Sequence, residues 1–128
     1  MTLPVLGIGV DIIEIDRVRQ SIERWGDRFT ARVFTPAERD YCQLRPDAYR
    51  SFAARFAAKE AISKAFGTGI GQELSWLDME ILPRPPDRAP TVQLSESARA
   101  WSKTRGVGDI LISLSHARDY AVAQALLL

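Results

Sequence analysis

Glu60 and Lys64 stand four residues apart in the run 55–71, RFAAKEAISKAFGTGIG. At ~100° per residue, a helix stacks Phe56, Glu60 and Lys64 on one side. An acid and an amine so placed suit phosphate chemistry: the carboxylate holds a hard cation and the ammonium neutralises a phosphate. Gly67, Gly69 and Gly71 follow, and glycine lets backbone amides come close to an oxyanion. The same residues also fit a plain i,i+4 ion pair of ~0.3–0.5 kcal/mol followed by an ordinary glycine C-cap. A second carboxylate, Asp11, lies in VLGIGVDIIEI, where Leu6, Ile8, Val10 and Ile12 alternate with Gly7, Gly9 and Asp11. The alternation predicts a strand, and two glycines beside an acid predict close approach of another backbone or of a ligand. Asp11 and Glu60 would then be paired carboxylates through which Mg²⁺ grips a pyrophosphate.

These residues need elements to hold them. Ala54, Ala58, Ala61 and Ala65 give the helix a small-residue side for close packing, and Phe52, Ile62 and Phe66 supply bulk elsewhere. Asp16 is the expected N-cap of a preceding helix that reaches Trp25 and stops at Gly26, with Val18, Ile22 and Trp25 as its buried stripe. Arg17 and Arg24, seven apart, form a second stripe that Arg28 extends, either a docking face or an ordinary solvated one. Thr35-Pro36-Ala37-Glu38 is a capping box with proline at the first helical position. Arg45-Pro46-Asp47 breaks the chain and caps the long helix. Beyond the glycines, LSWLDMEILPRP leads into a strand with PTVQL at 90–94 as partner, joined by a stiff connection rich in proline. Ser95 or Ser97 caps a helix through Trp101 that ends near Gly106. The strands DILISLSH and DYAVAQALLL, turning at Ala117-Arg118-Asp119, close the chain.

The chain has 128 residues, 46% of them hydrophobic, enough for one domain over 1–128 and too short for two. A net charge of +1 argues against a nucleic-acid binder. The single cysteine, Cys42, sits in a helical pattern as a buried thiol, which fits a reducing cytoplasm. The opening MTLPVLGIGVDII lacks a basic start and is interrupted by Asp11, so neither a signal peptide nor a membrane span is expected.

The GxDxxxI strand, the xxKExxxKxxGxG segment, FTPAE at 34–38 and SLSH at 113–116 occur in the order of the phosphopantetheinyl transferases. The chain resembles that family, most closely its small holo-acyl-carrier-protein synthase type, over nearly its whole length. The resemblance implies an α+β fold with helices on a small, mainly antiparallel sheet. It implies transfer of 4′-phosphopantetheine from coenzyme A to a serine of apo acyl carrier protein, in support of fatty acid biosynthesis, and release of adenosine 3′,5′-bisphosphate. On the matching positions, Asp11 and Glu60 hold Mg²⁺, and Lys64 stabilises the transferring or leaving phosphate. The serine proton goes to Glu60 or to a water ordered near the metal. Arg50, Arg55, Lys59 and His116 are candidates for the other coenzyme A phosphates, with Gly67 and Gly69 beside them. Carrier contacts fall on the helix with Arg17 and Arg24, helped by Arg28 just beyond the glycine. The larger surfactin-type transferases have two halves and a third acid where Ile13 stands here, so this chain matches the small type, which implies a homotrimer with sites between subunits.

Two other readings compete. A non-catalytic binding module would have lost Asp11, Glu60 or Lys64, and all three are present. A metal-dependent pyrophosphatase would use the same carboxylates with water as nucleophile. His116 with Ser113 or Ser115 also invites a hydrolase, but on a strand the two serines face one way and the histidine the other.

Overall fold

The computed structural model describes residues 4–128. The first three residues of the expected domain and of the apolar opening lie outside the described residues. Strand β1 (Gly7–Glu14) leads into α1 (Ile15–Trp25), α2 (Asp27–Val33), α3 (Pro36–Gln43) and the long α4 (Ala48–Phe66). A 3₁₀ turn at Trp76–Asp78 precedes the hairpin β2 (Met79–Arg84) and β3 (Ala89–Leu94). Then come α5 (Glu96–Thr104), β4 (Ile110–Ala117) and β5 (Tyr120–Leu127). The α+β class stands, with every strand pair antiparallel, in a three-stranded sheet ordered β1-β5-β4 and the separate β2-β3 hairpin.

Helix α4 lies across β1 and β5, and small residues on both sides make the approach possible. Ala57, Ala58 and Ala61 of the helix and Ala121, Ala123 and Ala125 of β5 are all fully buried. A Cβ on Gly7 would stand 2.3 Å from Ala65 O, and one on Gly9 1.9 Å from Ala61 O, inside any tolerable contact. The glycines beside Asp11 therefore serve the approach of a second backbone. The opposite face of β1 is different: Ile8 and Ile12 are 61% and 62% exposed, flanked by Leu6 and Val10, with Leu111 of β4 exposed as well.

The capping predictions hold for α3, α4 and α5. Glu38 N donates to Thr35 Oγ1 and Thr35 N to Glu38 Oε1; Arg50 N donates to Asp47 and Ala98 N to Ser95. Helix α1 differs. It begins straight from β1 with Glu14 at the cap position, and Ile15 N donates to Asp119 O in the β4–β5 turn, so Asp16 is left to bind Arg19 and Gln20. Trp25, expected in the buried stripe, is 47% exposed. Helix α2 was not expected at all, because Gly26 reads as a stop. Its φ of +55° turns the chain sharply, and Phe29, Thr30 and Val33 then fold a short helix back onto the core. Among the described residues no helix is long and apolar enough to cross a membrane.

Candidate active site

The glycine-mediated contact of β1 with α4 delivers Asp11 to the middle of the helix. Lys64 Nζ donates to Asp11 Oδ1 at 2.8 Å and to Val10 O at 3.3 Å. The lysine thus pairs across elements, and no ion pair between Glu60 and Lys64 occurs among the described residues. Asp11 and Glu60 share a cavity of about 310 Å³ with Arg17 and Ser21, walled by Ile13, Val18, Phe29 and Phe56. Burial raises the proton affinity of the Glu60 carboxyl, the negative Asp11 adds to it, and Lys64 offsets part. Lys64 in turn is held above the usual lysine range by its bond to Asp11. Two hard carboxylate oxygen donors that repel each other fit a divalent cation of the magnesium type. Among the described residues no group of three or more His, Cys, Asp or Glu gathers.

A second cavity, of about 440 Å³, lies where α3, α4, the β2–β3 hairpin and the end of β4 meet. Arg50, Arg55 and His116 line it as a basic group, and the structure adds Arg45 and Arg88, which sequence reasoning missed. Nothing in the sequence signals that the breaker before α4 and the hairpin turn come together. Arg55 is largely committed, Nε to Ile81 O at 2.9 Å and Nη1 to Ser51. Arg50 Nε is buried 3.3 Å from Asp47 Oδ2, without the alignment of a hydrogen bond. His116 pairs with Ala121 and Ser113 and Ser115 with Gln124 and Val122, so the histidine and the serines lie on opposite faces of β4, His116 being exposed at the mouth of the basic cavity; no serine–histidine pair forms.

Two expectations are corrected. Lys59 has no exposed surface: its Nζ donates to Glu38 Oε1 at 2.6 Å, Val33 O at 2.7 Å and Trp76 O at 3.0 Å, leaving it no reach to a ligand phosphate. Nor do the glycine amides face an oxyanion. Gly67 N donates to Lys64 O and Gly69 N to Ser63 O, closing the carbonyl end of α4, while Gly71 N donates to Leu74 O. The φ values of +82° and +69° at Gly67 and Gly69 explain the glycines as a helix stop.

Arg17 of α1 reaches the carboxylate cavity, while Arg24 of α1 and Arg28 of α2 lie over Trp25 with their guanidinium carbons 4.8 and 5.8 Å from the ring centre. Sequence spacing gave the arginine stripe but not the tryptophan that gathers its far end.

Asp11 and Glu60 in one cavity, Lys64 bonded to Asp11 between strand and helix, and a second cavity lined by arginines stand on an α+β scaffold. The profile of the 4′-phosphopantetheinyl transferase superfamily matches residues 7–125, and the chain belongs to that family. It is 48% identical over 122 residues to a holo-[acyl-carrier-protein] synthase of Chlamydia trachomatis serovar L2, covering 95% of this chain and 98% of that one. The holo-[acyl-carrier-protein] synthase of Desulforudis audaxviator is 49% identical, covering 95% and 92%. Among solved structures, the Neisseria meningitidis holo-[acyl-carrier-protein] synthase superposes with a TM-score of 0.92 at 28% identity, over 98% of this chain and 99% of that one. The Helicobacter pylori enzyme in complex with coenzyme A gives 0.84 at 34% identity, over 94% and 99%.

Proposed function

We propose that this protein transfers 4′-phosphopantetheine from coenzyme A to a serine of apo acyl carrier protein, yielding holo carrier protein and adenosine 3′,5′-bisphosphate. In the cytoplasm this would serve fatty acid biosynthesis. The observation that carries the reading is that Asp11, bonded to Lys64, shares a cavity with Glu60, in a chain whose relatives are holo-acyl-carrier-protein synthases. The chemistry asks mainly for alignment and for charge stabilisation on phosphate oxygens. Asp11 and Glu60 are the residues that would hold Mg²⁺, which when bound offsets charge on the pyrophosphate. Lys64, 52% exposed, turns its ammonium to the phosphate that moves or leaves. Glu60, with its proton affinity raised by burial and Asp11, is suited to receive the serine proton at its carboxylate. Arg50 and His116, with Arg45 and Arg88, offer donors for the nucleotide phosphates, and the unfilled Nε of Arg50 is one such donor. The test is intact mass: with coenzyme A and Mg²⁺, apo acyl carrier protein gains one phosphopantetheine. No gain with folded enzyme and several carriers tried would sink the reading.

The active form is proposed to be a homotrimer with sites between subunits. Two features support it. The carboxylate cavity and the basic cavity share no lining residue within one chain, so adjacent copies can combine them. The row Leu6, Ile8, Val10 and Ile12 leaves an apolar sheet face exposed, the kind of patch that marks an interface. Light scattering is expected to give the mass of three chains; an active monomer would refute the shared site.

Helix α1 with Arg17 and Arg24, together with Arg28 at the start of α2, is proposed to dock the acidic surface of the carrier, with Arg17 bringing the acceptor serine toward the carboxylates. Charges at an interface rim act mainly on encounter and are screened within ~8 Å at physiological salt. Arg24→Glu is therefore expected to raise KM for the carrier roughly 5–10-fold and to weaken its salt dependence, with KM for coenzyme A unchanged. Steady-state kinetics at low and high salt measure this, and an unchanged carrier KM and salt slope would make the stripe an ordinary solvated face.

A further inference from the structure

The only fully buried lysine among the described residues sits next to Glu60 and touches no cavity of the site. Lys59 Nζ ties together three elements: the end of α2 through Val33 O, the start of α3 through Glu38, and the 3₁₀ turn through Trp76 O. Glu38 is equally buried and also accepts from Thr35 N and Ile81 N, while Thr35 Oγ1 donates to Glu80 at 2.6 Å. Burial pulls the lysine's proton affinity down and Glu38 opposes it, as expected for a charge kept inside for the bonds it makes. Replacing such a pair by neutral groups often costs a protein little stability, so stability alone is a weak reason for it.

What the three tied elements carry is an aromatic stack. Trp76 packs on Phe56 with ring centres 4.9 Å apart, and Phe29 of α2 stacks on the same Phe56 at 6.4 Å. Phe29 and Phe56 supply the aromatic part of the apolar wall of the cavity that contains Asp11 and Glu60. We infer that Lys59 is a positioning residue for the transfer reaction: by gathering Val33, Glu38 and Trp76 it fixes Phe29 and Trp76 against Phe56, and so sets the wall against which Glu60 works. The inference rests on the transferase reading above and assigns Lys59 no contact with substrate. Its expected signature is a fall in kcat with binding of coenzyme A retained, because the wall lies at the carboxylates and away from the basic cavity.

The decisive variant is Lys59→Met combined with Glu38→Gln, which removes both charges of the buried pair together. Wild-type enzyme is assayed alongside, so failure of the transferase reading itself shows as an inactive wild type. The double variant is expected to fold, to bind coenzyme A at full stoichiometry by calorimetry, to keep KM for coenzyme A within twofold, and to lose at least tenfold in kcat. A folded double variant with wild-type kcat overturns the inference, since a merely structural lysine would be repaired along with the charge. Trp76→Leu removes the outer ring while sparing Lys59 and is expected to reproduce the kcat loss with KM for coenzyme A retained. If the double variant does not fold, this second variant decides: wild-type kcat in Trp76→Leu overturns the proposal.

Discussion

Glu60→Gln is expected to lower transfer by at least ~100-fold while the protein stays folded. The amide keeps the shape of the side chain but gives up the charge that would hold the cation. Stabilisation of that kind amounts to several kcal/mol at ~1.4 kcal/mol per tenfold in rate. Stability should move the other way from activity. The Glu60 carboxyl is raised above its ordinary value of 4.5, first by burial and then by Asp11, so the native state binds this proton more tightly than the unfolded state. Its contribution is fully present below the unfolded value and is lost as pH rises through the folded value. Without added metal, Glu60→Gln removes that loss, so its melting temperature at neutral pH should match or exceed wild type. The two should follow different slopes as pH falls through the raised carboxyl range. Near-normal turnover at limiting Mg²⁺ would show that Glu60 is not a metal ligand.

Lys59→Met alone carries the largest expected loss of stability. It strands Glu38, which has no exposed surface, as an uncompensated buried charge and leaves Val33 O and Trp76 O without their donor. Breaking one side of a buried pair costs about 3–5 kcal/mol, a fall of roughly 10–20 °C in melting temperature for a domain of this size. Below that temperature the folded fraction should still bind coenzyme A with near wild-type affinity. The pattern to look for by scanning fluorimetry and calorimetry is therefore a large thermal loss with affinity retained. An unchanged melting temperature with tenfold weaker coenzyme A binding would return Lys59 to the ligand and undo the correction made above.

The parts of the molecule that a sequence reveals are those in which one local rule decides. Thr35 and Glu38 form their capping box whatever surrounds them, and Asp47 and Ser95 cap their helices for the same reason. Asp11, Glu60 and Lys64 were legible because strand alternation and helical spacing each present one chemically loaded face, and the structure then joins those faces through Gly7 and Gly9. Where the environment decides, spacing misled. Lys59 and Lys64 are equally plausible cations on paper. Only packing reveals that one points into the core and the other to a strand edge. The glycine run has the composition of an anion-binding loop, yet it follows the carbonyl end of α4, where its amides are taken up by that helix and by Leu74. Arg88 joins Arg45 and Arg50 only because the hairpin folds over the start of α4, a long-range contact with no local signature. Helix α2 was hidden because Gly26 does end α1, and a second short helix restarts at the next residue, Asp27, with no cap signal of its own.

The central claim is that the carboxylate site passes a phosphopantetheine to a protein hydroxyl rather than to water. The direct measurement is the amount of adenosine 3′,5′-bisphosphate released from coenzyme A and Mg²⁺, with and without apo acyl carrier protein, set against the amount of carrier modified in the same reaction. The account predicts one bisphosphate per modified carrier and essentially none when the carrier is left out. Release without carrier, at a rate comparable to that with it, would contradict the account and make the site a pyrophosphatase.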